Sequence, residues 1–227
     1  FCLSRGLGDV YKRQLFDTVS ADFWTMLQRH NIARPVVIGH SLGGTLGIML
    51  AEQNSRKLGG VISVDGLPTF PGMDRMTADQ RAQAAAQMTG AMASATTPAQ
   101  FAAMEKNYVL PNLMTSPDDI AAVAPVTGRS DPAATAAWTS EDIGLDLRKD
   151  LSKVTAPLLV IAPYDNALEG KVLPDAAAKK GYYETLLAND PAANVQMIEP
   201  SRHFVMYDQP KKLHVAIAAF LQQYPPG

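Results

Sequence analysis

Three residue types in this chain could together perform nucleophilic catalysis: a serine at Ser41, a histidine at His203 and a carboxylate at Asp165. A serine hydroxyl is a weak nucleophile at neutral pH. It needs a base within hydrogen-bond reach and a third group that orients the base. Ser41 stands in Val36-Val37-Ile38-Gly39-His40-Ser41-Leu42-Gly43-Gly44-Thr45-Leu46, which reads as a short apolar strand, then Gly-x-Ser-x-Gly, then a helix. That order is what a nucleophile elbow requires. The serine must sit on a turn so sharp that its backbone is strained, and Gly39 and Gly43 are expected to keep side chains out of that turn. The backbone N–H of Leu42, at the N-terminus of the following helix, is then placed to hold a developing oxyanion. A tight strand-to-helix turn without chemistry would carry the same five residues, so the partners must decide.

Of the four histidines, His30 closes an amphipathic helix and His214 lies inside a C-terminal helical pattern. His40 adjoins the serine, and strand-turn geometry directs it away from Ser41. His203 follows the apolar stretch 195–198, which reads as a strand, and precedes the last helix. A loop leaving the C-terminal end of a sheet strand is where a base is presented; the alternative is an ordinary surface histidine. The acid should also stand at a strand end. Residues 157–162 form a continuous apolar, β-branched run, as in a strand buried on both faces. The turn Pro163-Tyr164-Asp165-Asn166 follows, which makes Asp165 the expected acid. Asp65, at the end of the apolar run 61–64, is the second choice. Loop aspartates also serve simply to form turns. The order Ser41, Asp165, His203 is the one that strand–turn–helix hydrolases use.

On these residues the chain resembles the α/β-hydrolase superfamily. The resemblance runs from Leu15 to the C-terminus. Its most specific parts are Gly39-His40-Ser41-Leu42-Gly43-Gly44 and Ser201-Arg202-His203-Phe204-Val205-Met206-Tyr207-Asp208-Gln209-Pro210. It implies an α/β fold: the C-terminal part of a mostly parallel, doubly wound sheet with a helical cap insertion. It also carries the nucleophile, acid and base onto Ser41, Asp165 and His203, and implies a serine hydrolase acting on a carboxylic ester or a similar small acyl substrate. Other chemistry on the same scaffold (carbon–carbon or amide hydrolysis, acyl transfer, perhydrolysis) and a non-catalytic protein of this fold remain alternatives. The pattern departs at Ala162, where a glycine is common. A serine at position 41 separates the chain from the haloalkane dehalogenase and epoxide hydrolase branches, whose nucleophile is an aspartate.

Residues 4–14 match a frame translation of a sequencing adaptor. Residues 1–14 are therefore expected to be a non-native segment and are set apart from the fold. The strands that precede the nucleophile helix in similar proteins have no counterpart. Neither has the loop, often beginning His-Gly, that supplies a second oxyanion donor. The chain is thus expected to be an N-terminally truncated, inactive fragment of a larger hydrolase.

The positioning elements follow. Residues 15–66 and 152–227 are expected to form the hydrolase core, and 67–151 a helical cap or lid. Leu15, Val19, Phe23, Met26 and Leu27 form a helical stripe before the nucleophile strand. Within 67–151, helices are expected to start at Thr77, Thr97-Pro98, Ser116-Pro117 and Asp131-Pro132, each pairing a capping side chain with a good first turn. Met73, Met76, Met88, Met92, Met104 and Met114 recur there. They serve either as cap core, the favoured reading, or as an adaptable acyl pocket. A surface helix with Lys179, Lys180, Tyr182 and Tyr183 follows Asp165, and Leu213, Ile217, Phe220 and Leu221 give the closing helix its buried stripe.

With 47% hydrophobic residues and a net charge of −2, the chain is a globular domain whose slight acidity argues against nucleic acid. No apolar run is long enough to span a membrane. The single cysteine, Cys2, excludes a disulfide framework and a cysteine-based metal site. There is no glycine-rich phosphate loop and no His-x-x-x-His pair, so neither cofactor nor metal is expected.

Overall fold

The computed structural model describes residues 14–94 and 97–227. The segment 1–14 therefore lies, Gln14 excepted, outside the described residues. In chain order the elements are α1 (Gln14–Arg29), β1 (Val36–His40), α2 (Leu42–Asn54) and β2 (Gly60–Val64). There follow α3 (Ala78–Ala93), α4 (Pro98–Met104), a π-helical turn (Glu105–Val109), α5 (Leu110–Leu113), α6 (Pro117–Thr127) and α7 (Pro132–Gly144). The chain then closes with β3 (Leu158–Pro163), α8 (Asn166–Glu169), α9 (Ala176–Leu186), β4 (Asn194–Ile198), α10 (Val205–Asp208) and α11 (Pro210–Gln223).

The four strands form one parallel sheet in the order β1-β2-β3-β4. Parallel neighbours need crossovers, and here helices supply them on both faces. One face buries Ile48, Leu50, Val61, Val160 and Tyr183 with Phe16 of α1. The other buries Ile62, Ile161 and Val205 with Leu213 and Phe220 of α11. Every residue of β2 and β3 is buried, which is why both read as unbroken apolar runs. β1 is one of the two outer strands among the described residues, and Ile38 in it is 47% exposed.

Registers align the strand ends. His40 pairs with Val64, Val64 with Ile161, and Pro163 with Ile198. The loops that carry Ser41, Asp65, Asp165 and His203 therefore leave one edge of the sheet together. That is where open α/β sheets place their sites.

α1 buries Phe16, Ser20 and Leu27, so its inner face is offset from the expected stripe, and Met26 is 38% exposed. A specific dock fixes the offset. The Leu15 and Phe16 N–H groups donate to Glu141 Oε2 and Oε1 of α7 at 3.1 and 3.0 Å, and the Phe16 ring packs on Trp138.

Helical structure fills the segment between β2 and β3. Its starts agree with the capping residues. Thr77 and Gln80 exchange side-chain and backbone hydrogen bonds. Thr97, Ser116 and Asp131 accept from Gln100, Asp119 and Ala134 N–H. Of its methionines, Met73 and Met114 are buried in local clusters while Met76 and Met88 are exposed.

Candidate active site

The turn between β1 and α2 has the strain an elbow implies. Ser41 adopts φ 55°, ψ −125°, a region that non-glycine residues rarely occupy. It is held there by its neighbours. Ser41 N–H donates to Val64 O at 2.9 Å, and its carbonyl accepts from Gly44 and Thr45 N–H at 2.8 and 3.0 Å. Gly39 is obligatory, because a Cβ there would lie 2.0 Å from Gly43 O. Gly43 is not, since a Cβ there would meet nothing within 4 Å; the expectation that both glycines clear the turn holds for the first only. Gly44 and Gly66 are tight as well: a Cβ would lie 2.2 Å from Ser63 Oγ at the first and 2.4 Å from Ser41 O at the second. Leu42 is the first residue of α2, so its N–H is among those a helix leaves without an intrahelical acceptor.

His203 stands between β4 and α10, as expected of a strand-end loop. Its acidic partner is not the expected one. His203 Nδ1 lies 2.6 Å from Asp65 Oδ2, and the anticipated contact with Asp165 is not formed. The Asp165 oxygens are engaged elsewhere. Oδ1 caps α8 by accepting from Ala167 N–H at 3.0 Å, and Oδ2 accepts from Arg202 Nε at 2.6 Å. Asp165 is thus both a turn-former and the partner of an arginine. Arg202 also donates to Pro111 O and, at 3.2 Å, to Met114 O, tying the helical segment to the β4–α10 loop.

Asp65 directly follows β2, the strand beside β1. It too has a positive φ, 52°. Its second oxygen, Oδ1, accepts from Tyr183 Oη at 2.7 Å. Burial, with the Asp65 charge adding to it, holds the Tyr183 phenol well above its usual range, so it remains a donor. Sequence reading places α9 at the surface. In the structure Lys179, Tyr183 and Leu186 of that helix are buried. The signal was available in their spacing of four and three residues, one face of a helix.

His40 packs its ring on His203, with centroids 4.5 Å apart, and its Nε2 donates to His203 O at 2.9 Å. Burial, assisted by the charge of His203, lowers its pKa to about 4. It is a neutral support for the loop that carries His203.

Ser41, Asp65 and His203 share the wall of one cavity of about 370 Å³. Leu67, Phe70, Leu113, Leu168 and Leu173 supply apolar surface to it, and none of the methionines lines it. Asp142 of α7 also faces in. Burial raises its pKa to about 6, against the opposing pull of the Thr45 hydroxyl and of His203. Among the described residues, no cluster of three or more histidine, cysteine or carboxylate side chains could hold a metal ion, and no helix is long and apolar enough to cross a membrane.

With this geometry in place, the family described as "Alpha/beta hydrolase family" matches residues 4–216. The chain belongs to the alpha/beta hydrolase family. Solved structures share its fold. A hydrolase from Pseudomonas aeruginosa PA01 superposes with a TM-score of 0.68 at 19% identity, over 91% of this chain and 71% of that one. An enol-lactonase from Burkholderia xenovorans LB400 gives 0.66 at 18%, over 91% and 73%. A thermophilic esterase from Thermogutta terrifontis gives 0.69 at 16%, over 92% and 72%. A comparison with curated proteins finds no match. In this alpha/beta hydrolase the carboxylate that meets the strand-end histidine comes from the strand adjoining the serine's, one strand earlier than the sequence reading placed it.

Proposed function

We propose that this alpha/beta hydrolase is a serine hydrolase that cleaves a carboxylic ester or similar small acyl substrate through an acyl-enzyme. The observation that carries the reading is the 2.6 Å contact of His203 Nδ1 with Asp65 Oδ2 at a cavity that the strained Ser41 also lines. Asp65 accepts a hydrogen bond from Nδ1–H, which leaves the lone pair on Nε2. His203 then takes the Ser41 proton as the hydroxyl attacks the carbonyl, and returns it to the leaving alcohol. Asp65 holds the tautomer and stabilises the imidazolium formed on the way. The Leu42 N–H, at the N-terminus of the 13-residue α2, supplies an oxyanion donor. Water then repeats the sequence to release the acid. None of these steps calls for a metal or cofactor. Asp165 contributes by holding Arg202 and thereby the loop, and the helices between β2 and β3 act as the cap that closes the apolar side of the cavity.

The ester preference draws support from the apolar walls and from fold relatives described as an esterase and an enol-lactonase. The test is reaction with a fluorophosphonate probe together with turnover of 4-nitrophenyl esters of increasing chain length, beside matched amides and diketones. Labelling is expected on Ser41 and lost in Ser41→Ala. Labelling that persists in the alanine variant overturns the assignment of the nucleophile, and turnover of diketones or amides in preference to esters overturns the substrate class.

A further inference from the structure

Most of the charged groups facing the cavity have a close partner. Lys179 Nζ lies 2.6 Å from Glu169 Oε2, Arg202 Nε lies 2.6 Å from Asp165 Oδ2, and Asp65 meets His203. Asp142 lines the same cavity, and among the described residues no ion pair includes it. It stands in the last turn of α7, where the helix's own carbonyls make the field unfavourable for an anion. Thr45, whose hydroxyl donates to Leu67 O at 3.1 Å, and His203 are the groups that act on it. Asp142 is half-buried at a helix C-terminus, and the nearby positive charge that acts on it, that of His203, is already engaged by Asp65, so it gains from a ligand that brings a positive charge of its own.

We propose that Asp142 is a specificity-determining residue that binds an ammonium or other amine-derived cation on the substrate, seated in the cavity that Ser41 lines. The cation completes the charge pairing of the site. The inference takes the cavity as the substrate site of the hydrolase reading and adds the class of substrate: an ester or acyl compound bearing a basic nitrogen. Burial supports this, because it already disfavours the unpaired anion, and a bound cation relieves that penalty.

The test is calorimetric titration of the chain with hexylammonium and, separately, with 1-hexanol, a neutral probe of similar size, at pH 7.5. Hexylammonium is expected to bind at least about tenfold more tightly than hexanol. In Asp142→Asn, which keeps the size and hydrogen-bonding capacity of the side chain, the preference is expected to fall to within about twofold while the affinity for hexanol is unchanged. Equal affinity of the two probes for the unaltered chain overturns the proposal without recourse to any variant, and so does a preference that survives in Asp142→Asn. Fluorophosphonate labelling of Ser41, followed on the same preparation, reports separately on the hydrolase reading. Charge discrimination without labelling leaves the cation site standing and removes the hydrolase reading, and labelling without discrimination does the reverse.

Discussion

Asp65 Oδ2 lies 2.6 Å from His203 Nδ1, although 138 residues separate the two in sequence. The contact closes because the registers bring the C-terminal ends of β1 to β4 level, so that the loop after β4 returns over the sheet edge toward β2. Gly66, pressed against Ser41 O, keeps the Asp65 loop beside the elbow. One carboxylate thus adjoins both the serine's turn and the histidine.

The two aspartates separate by mutation. Asp65→Asn should lower kcat by about three to four powers of ten, because an amide cannot hold the productive imidazole tautomer. Asp165→Asn should leave kcat within about tenfold while lowering stability by roughly 2 kcal/mol, since the half-buried Arg202 loses its charged partner. Steady-state ester hydrolysis and urea unfolding of both variants check this. The opposite pattern would return the role of acid to Asp165.

Tyr183→Phe removes the donor to Asp65 Oδ1 and keeps the ring in the core. The loss should be about 1–2 kcal/mol of transition-state stabilisation, or roughly tenfold in kcat, with KM unchanged. A change confined to KM would instead assign Tyr183 to substrate binding.

His40 titrates at about 4 in the fold and near 6.5 when unfolded. Between these values the unfolded chain binds the extra proton, so acid favours unfolding. This contribution is fully present above pH 6.5 and is lost as pH falls through 4, to a total of about 2–3 kcal/mol. Urea unfolding at pH 7 and pH 4.5 should show the decline, and His40→Gln should flatten it.

Asp142 has the opposite sign. Its pKa, raised to about 6, lies above the unfolded value, so the folded chain binds the extra proton. The stabilising contribution is complete below pH 3.8 and is lost as pH rises through 6. Asp142→Asn should therefore gain about 2 kcal/mol at pH 8 and nothing at pH 3.5, measured by urea midpoint.

Ile38, 47% exposed on the outer strand β1, offers an apolar edge that other chains can pair with. Ile38→Lys should lower the aggregated fraction seen by sedimentation velocity. Unchanged aggregation would place the sticky surface elsewhere.

The local elements were legible in the sequence because local physics makes them. The apolar runs of β2 and β3, the capping residues Thr77, Thr97, Ser116 and Asp131, and the elbow around Ser41 are each set by residues within a few positions of one another. Which distant groups meet was not legible. Asp65 and Asp165 both follow buried strands and look alike in one dimension. Only the sheet order, with β2 beside β1, and the guanidinium of Arg202, which takes Asp165 Oδ2, separate them. Lys179 and Tyr183 read as surface residues because their helix is polar, yet burial of α9 against the core turns one of its faces inward. Asp142 gave no signal at all. A carboxyl near a helix end becomes a cavity wall only when α7 packs over Thr45, and its surroundings there, the Thr45 hydroxyl and His203, belong to the assembled site and not to the local sequence.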